Sequence, residues 1–200
     1  MGGTRRWFAI AAMLVTVAMV AAACGGNGDG SGGNEPAPAA EPFGTACSGV
    51  PTSGDGSFEA MMTVPVAAAA AANPLLSSLS SDLEEAQLTD TLNGAEGLTV
   101  FAPTNDAFAA AAEADPAGME AMMADPTGAF AQLLTYHVVE GQIAPADLAG
   151  EHATLQGQTL TVEGSGESFT VNGEAMVVCG DIHTDNATVY IVDAVLHPPA

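Results

Sequence analysis

The sequence predicts an α+β domain, with helices first and a meandering sheet last. Three observations carry this. Alanines and leucines recur at helical spacing between residues 64 and 87. Two Asp-Pro pairs, at 115–116 and 125–126, have the form of helix starts. From Leu160 onward, apolar residues alternate with polar ones and glycine turns interrupt the runs.

Taken in order, Val64–Ala72 is an Ala-rich helical run. Asn73-Pro74 then starts a second helix reaching about Gln87, with Leu75, Leu76, Leu79 and Leu83 on its apolar face. Leu98–Phe101 reads as a buried strand entering Ala102-Pro103, after which Thr104 or Asn105 caps a short helix that buries Phe108. At Asp115-Pro116 and Asp125-Pro126 the carboxylate accepts from the first helical turn, and proline fills a position whose N–H has no partner anyway. The second pair leads through Phe130, Leu133 and Leu134 to Tyr136. Leu160 and Val162 open the strands, Gly164–Gly166 turns the chain, and Phe169 and Val171 continue. Asn172-Gly173 then signals a type I′ hairpin, Met176–Val178 returns, and Val189–Leu196 forms an apolar strand covered on both faces.

Residues 1–23 are read as an export signal peptide. Arg5 and Arg6 precede an apolar run, Trp7–Ala23, that is shorter and richer in alanine than a membrane span of ~20 residues. Thr4–Phe8 (TRRWF) also has the form of a twin-arginine motif. The run ends at Ala21-Ala22-Ala23-Cys24-Gly25, which is similar to a bacterial lipobox, although Ala21 stands where Leu or Val is usual. On that reading Cys24 is diacylated and becomes the N-terminus. The alternative is ordinary cleavage that leaves it a free thiol. Residues 24–45 then form a lipid-anchored flexible linker of Gly, Asn, Ser and Pro, its ends ~25 Å apart as a coil of ~20 residues. Residues 46–200 suffice for a single domain with a full core.

Charge narrows the function. All 24 acidic residues follow Cys24, whereas both basic residues, Arg5 and Arg6, lie in the signal. The mature chain has no Lys or Arg to meet a phosphate, which excludes nucleic acid and electrostatic attachment to anionic lipid. Any membrane contact is through the lipid anchor. Such a surface repels itself, and salt relieves the repulsion by shortening the Debye length. The melting temperature is therefore expected to rise between low and molar salt; a flat profile in a thermal scan would count against it.

Catalytic patterns are missing: there is no Gly-x-Ser-x-Gly, His-Glu-x-x-His, Cys-x-x-Cys or phosphate-binding glycine loop. Neither an enzyme nor a cofactor is expected. Asp181, His183 and Asp185 alternate and so share one face of an extended segment, a candidate divalent-metal ligand set whose plain alternative is an exposed loop edge. Asn186-Ala187-Thr188 is a glycosylation sequon of the kind that arises by chance. Three cysteines in an exported chain are an odd number; with Cys24 assigned to lipid, Cys47 and Cys179 remain as a disulfide pair.

Three segments, Leu98–Phe108 (LTVFAPTNDAF), Tyr136–Val139 (YHVV) and Ala187–Pro199 (ATVYIVDAVLHPP), resemble in order and spacing the signatures of the fasciclin (FAS1) domain, an extracellular adhesion module. The likeness runs from about Cys47 to Pro199. Val177–Gly180 (VVCG), with a cysteine ahead of the first helix, is similar to the fasciclin-type surface lipoproteins and secreted antigens of mycobacteria. The resemblance implies a wedge-like β-sandwich of about seven strands with helices packed alongside. It also implies adhesion or binding at the outer membrane face or in the medium. The partner would be extracellular matrix, a cell-wall polymer or a surface protein.

In some animal members the segment matching Tyr136 and His137 is linked to integrin-mediated adhesion; the structural alternative is a satisfied, semi-buried His137 with Tyr136 packed beside it. Tyr190 stands where many members have His, as it does in the mycobacterial antigens. The lack of basic residues departs from any family site built on Lys or Arg. Two other readings are a small-ligand or lipid-binding protein, which needs an enclosed apolar pocket beside Tyr136, and an ion-stabilised envelope protein using the Asp181–Asp185 segment.

Overall fold

A computed structural model describes residues 41–199. The expected signal peptide, Cys24 and most of the expected linker lie outside the described residues. Four helices come first: α1 (Phe58–Met61), α2 (Val66–Ala72), α3 (Ser77–Glu85) and α4 (Thr89–Gly94). Strand β1 (Leu98–Pro103) follows, then α5 (Asn105–Ala114), α6 (Pro116–Met123) and α7 (Ala131–Tyr136). The chain closes with β2 (Val138–Glu140), β3 (Gly150–Ala153), β4 (Thr159–Ser165), β5 (Ser168–Val171), β6 (Ala175–His183) and β7 (Ala187–Val192). Among the described residues no helix is long and apolar enough to cross a membrane.

The strands form one seven-stranded sheet in the order β2-β1-β7-β6-β5-β4-β3. It curls until its ends meet: Val139 bridges Thr154, and Leu155 N–H donates to the Val138 carbonyl at 2.8 Å. The result is an α+β near-barrel. β1 and β7, second and third in that order, pair in parallel, Leu98 opposite Ala187 through Pro103 opposite Val192, and every residue of both strands is buried. Burial on both faces explains the unbroken apolar run of β7.

Each face has its own core. Val100, Val189 and Ile191 meet Leu79, Leu83, Phe130 and Leu134 of the helices. On the opposite face Phe101, Tyr190, Leu160 and Phe169 pack together with Phe43 of the N-terminal arm. Phe101 stacks on Tyr190 at 5.8 Å between ring centres, and Phe43 tilts against Phe169 at 6.0 Å. Phe43 also pairs with Gly180 as an isolated antiparallel bridge, its ring lying where a Cβ on residue 180 would stand. Four residues on, Cys47 is bonded to Cys179, with the Cα atoms 4.9 Å apart.

Helix starts follow the Asx logic. Asn73 accepts from Leu75 N–H at 3.0 Å, Thr104 from Ala107 N–H at 3.1 Å, and Asp115 from Gly118 N–H at 3.0 Å. Two expected helices differ in detail. Pro74–Leu76 is a 3-10 turn that only then becomes α3, and Pro126–Phe130 winds as a π-helix before α7. The Ala-rich α2 starts at Val66 rather than Val64. Pro65 sits at its N-cap and offers no side-chain acceptor, so two distant asparagines supply them: Asn186 Oδ1 accepts from Val66 N–H at 2.9 Å and Asn93 Oδ1 from Ala67 N–H at 3.1 Å.

The turns also depart from expectation. Ser165 pairs with Ser168, so the chain reverses at Gly166-Glu167 and Gly164 remains inside β4. Its φ of +127° brings its backbone against the Ser168 carbonyl, where a side chain would collide. Asn172 and Gly173 take the left-handed φ values, 53° and 69°, that a type I′ turn requires. Pairing resumes with Val171 opposite Ala175, so Glu174 is an extra loop residue. β7 ends at Val192, short of the expected Leu196.

Candidate functional site

The Tyr136–His137 pair does two different jobs. His137, buried at the end of α7, has both ring nitrogens engaged: Nδ1 lies 2.8 Å from the Leu133 carbonyl, and Nε2 accepts from Leu196 N–H at 2.9 Å. Only a neutral ring protonated at Nδ1 satisfies both contacts. Burial accordingly pushes its pKa down from 6.5 to about 4, opposed by the Leu133 hydrogen bond. His137 is a structural latch for the C-terminal segment, which leaves the sheet after Val192: Leu196 N–H is spent on an imidazole instead of a strand.

A stability prediction follows. Between pH 6.5 and 4 the unfolded chain takes up a proton on His137 that the folded chain refuses. Stability must fall with pH across that window, by about 3 kcal/mol at most from this group. Asp82 acts in the opposite sense, because burial and then Glu85 raise its pKa to about 6. Unfolding free energies of the native chain and His137→Gln at pH 7 and 4.5 isolate the histidine. The native chain should lose about 2–3 kcal/mol more than the variant, and parallel losses would refute the assignment.

Tyr136, buried as well, sends its hydroxyl the other way, toward Thr159 and Asn172 beneath the surface. Asn172 Nδ2 donates to that hydroxyl at 2.8 Å, and the hydroxyl donates to the Thr159 carbonyl at 3.3 Å. Asn172 is itself fixed: its Oδ1 accepts from Thr161 N–H at 2.9 Å and its own N–H donates to the Thr161 carbonyl at 2.7 Å. Together they floor an open cleft of about 540 Å³. β4 turns Leu160 and Val162 into the core, so Thr159, Thr161 and Glu163 fall on its outer face and line the cleft at every second residue. The hairpin loop adds Glu174, and the C-terminal tail adds His197 and Pro199. Gln158 Nε2 holds that tail by donating to the Pro199 carbonyl at 3.2 Å.

The cleft is polar and solvent-open, unlike the enclosed apolar pocket that lipid binding requires. The apolar void between helices and sheet measures about 20 Å³, room for a water and not for a lipid.

The suggested metal set is not assembled. Asp181 lies at an irregularity in β6 between Cys179 and Ile182, with φ +59°, and its Oδ1 is 3.2 Å from His183 Nε2. Its Oδ2 is buried without a partner, and burial raises its pKa while His183 pulls the other way. Asp185 is exposed on the following turn, and among the described residues no three His, Cys, Asp or Glu side chains converge as metal ligands. The turn breaks the alternation that would have brought the third ligand in.

The sequon asparagine is a building element. Asn186 Nδ2 donates to the Leu92 and Ala95 carbonyls at 2.7 and 2.8 Å while its Oδ1 caps α2. One side chain thus closes the start of α2 and the end of α4. Asn105 similarly ties α5 to the α3 start, accepting from Ser78 N–H at 2.9 Å and donating to the Pro74 carbonyl at 2.9 Å.

Sequence reasoning placed a recess beside Tyr136 only as an enclosed apolar pocket for a lipid or small ligand, and missed the polar, open lining. Its only local signs are the polar alternation Thr159, Thr161, Glu163 and the Asn172-Gly173 turn; nothing local says that the turn sits over Tyr136.

The family model described as "Fasciclin domain" matches residues 74–198. The cell surface glycolipoprotein MPB83 of Mycobacterium bovis is 41% identical over 172 residues, spanning 82% of this chain and 75% of that protein. The immunogenic protein MPT70 of Mycobacterium tuberculosis is 43% identical over 152 residues, with 74% and 76% covered. Among solved structures, a FAS1 domain pair from the insect cell adhesion molecule fasciclin I superimposes with a TM-score of 0.61 at 15% identity. That match covers 70% of this chain and about half (52%) of the domain pair, and it concerns the fold alone.

Proposed function

The chain belongs to the fasciclin domain family, and from that premise we propose that it is an adhesion or binding module held at the outer face of the cell membrane. Its relatives are cell-surface and immunogenic proteins and an adhesion molecule, which supports a surface or extracellular setting and gives no support to catalysis. In this reading Cys24 carries the lipid, the residues from 25 up to the Phe43–Gly180 bridge act as spacer, and the domain meets matrix, cell-wall polymer or a surface protein. The three-residue metal set and the lipid pocket play no part in it.

The observation that carries the reading is the polar cleft over Tyr136. It is a recess on rigid elements, with side chains free for a partner above a floor whose own hydrogen bonds are complete. His137, sealed behind it, supports the surface without touching a partner.

Envelope material from the producing cell, incubated with the purified protein, tests the adhesive part. Retention should drop when Thr161→Arg fills the cleft and should persist in Glu120→Gln on the far helix α6; equal retention would refute the site. Detergent-phase partitioning tests the anchor. The native protein should enter the detergent phase and Cys24→Ser should not.

A further inference from the structure

We infer that the cleft over Tyr136 takes a sugar chain bearing free amines, an inference that rests on the adhesive reading above and names its ligand class. Three features point there. No Lys or Arg lines the cleft, and none occurs beyond Arg6. Phosphorylated, sulfated or uronic-acid chains would therefore meet only like charge. The lining is made of hydrogen-bonding groups at close intervals: the hydroxyls of Thr159 and Thr161 and the carboxylates of Glu163 and Glu174. Such groups accept from sugar hydroxyls, and the two carboxylates pair with ammonium groups. Third, His197 and Pro199 add two compact rings against which the C–H face of a sugar can lie, without the broad apolar wall that a lipid needs.

The floor adds selectivity. Asn172 is locked by two contacts to the Thr161 backbone and one to the Tyr136 hydroxyl, so the cleft keeps its shape without a ligand. A cleft open to solvent also suits a segment of a long polymer, which must enter and leave without an end to thread. A basic peptide shares the charge but not the regular row of hydroxyls, and the amide-rich backbone finds no unpaired strand edge in these residues.

Calorimetric titration of the purified protein with a glucosamine tetramer tests this, alongside the N-acetylated tetramer and tetralysine. The glucosamine tetramer should bind, and the other two about tenfold more weakly or not at all. Glu163→Gln with Glu174→Gln should weaken it about tenfold and Thr161→Val about threefold, with Glu120→Gln unchanged. Both glutamates are exposed, so the double variant keeps the fold. Absence of sugar binding, equal binding of tetralysine or the N-acetylated tetramer, or indifference to the double variant overturns the inference. Envelope retention separates the two levels. Retention that Thr161→Arg abolishes, without any sugar binding, overturns the ligand class and leaves the adhesive site standing; loss of both overturns both.

Discussion

Replacing Cys47 and Cys179 together by serine is expected to lower the unfolding free energy by about 5 kcal/mol. The two cysteines are 132 residues apart, so their bond closes most of the domain into one loop. Loop-closure entropy for that length gives about 5 kcal/mol through restriction of the unfolded chain. For a domain of this size such a loss lowers the melting temperature by about 10–20 °C. It is also a large share of the 5–15 kcal/mol typical of folded domains. The folded contacts at stake are few: Cys179 is fully buried, Cys47 half-buried, and the Phe43–Gly180 bridge beside them can survive without sulfur. Urea unfolding of the oxidised, reduced and doubly substituted protein measures the effect. Unfolding free energies of the reduced and substituted forms within about 1 kcal/mol of the oxidised one would show that the unfolded chain gains little freedom.

Asn186→Asp should cost about 3–5 kcal/mol at neutral pH, despite adding no volume. One carboxylate oxygen keeps the contact with Val66 N–H, but the other now faces the Leu92 and Ala95 carbonyls, to which the amide donated. A buried charge left among acceptors has that order of cost. The sign of its pH dependence is diagnostic. The folded state holds the new carboxyl's pKa above its unfolded value, so the variant should regain stability as pH falls and the protonated acid again donates to one carbonyl. Asn186→Ala should cost about 2–4 kcal/mol without that recovery. Unfolding curves at pH 5 and 8 decide between a three-bond staple and a merely buried polar group.

How far the sequence spoke depended on how local each cause was. Asp115-Pro116 and Thr104 announce helices because cap and capped N–H lie within three residues. Leu160 and Val162 announce β4 because both are buried between more exposed neighbours. β3 gives no such sign: Gly150, Glu151 and Ala153 are exposed and His152 is half-buried, so no apolar alternation marks it. Leu196 was misplaced in β7 because the partner of its N–H, His137, lies 59 residues away. The roles of Asn186 span 91 to 120 residues, and the cleft draws on four separate segments. The disulfide stands apart, since an odd cysteine count is legible without knowing any distance.

The N-terminal arm also decides where mechanical load would travel. Tension applied ahead of residue 41 would meet Phe43 and Cys47 first, and the sulfur bridge would hand it directly to β6. From there the Val171–Ala175 hairpin conducts it covalently to β5, and the paired ladder carries it on to β4 and the cleft. Helices α1 to α4, which lie between Cys47 and β1 along the chain, are bypassed and stay slack. In the reduced protein the same pull would rest on the Phe43–Gly180 hydrogen bonds alone and, once they part, pass to those helices.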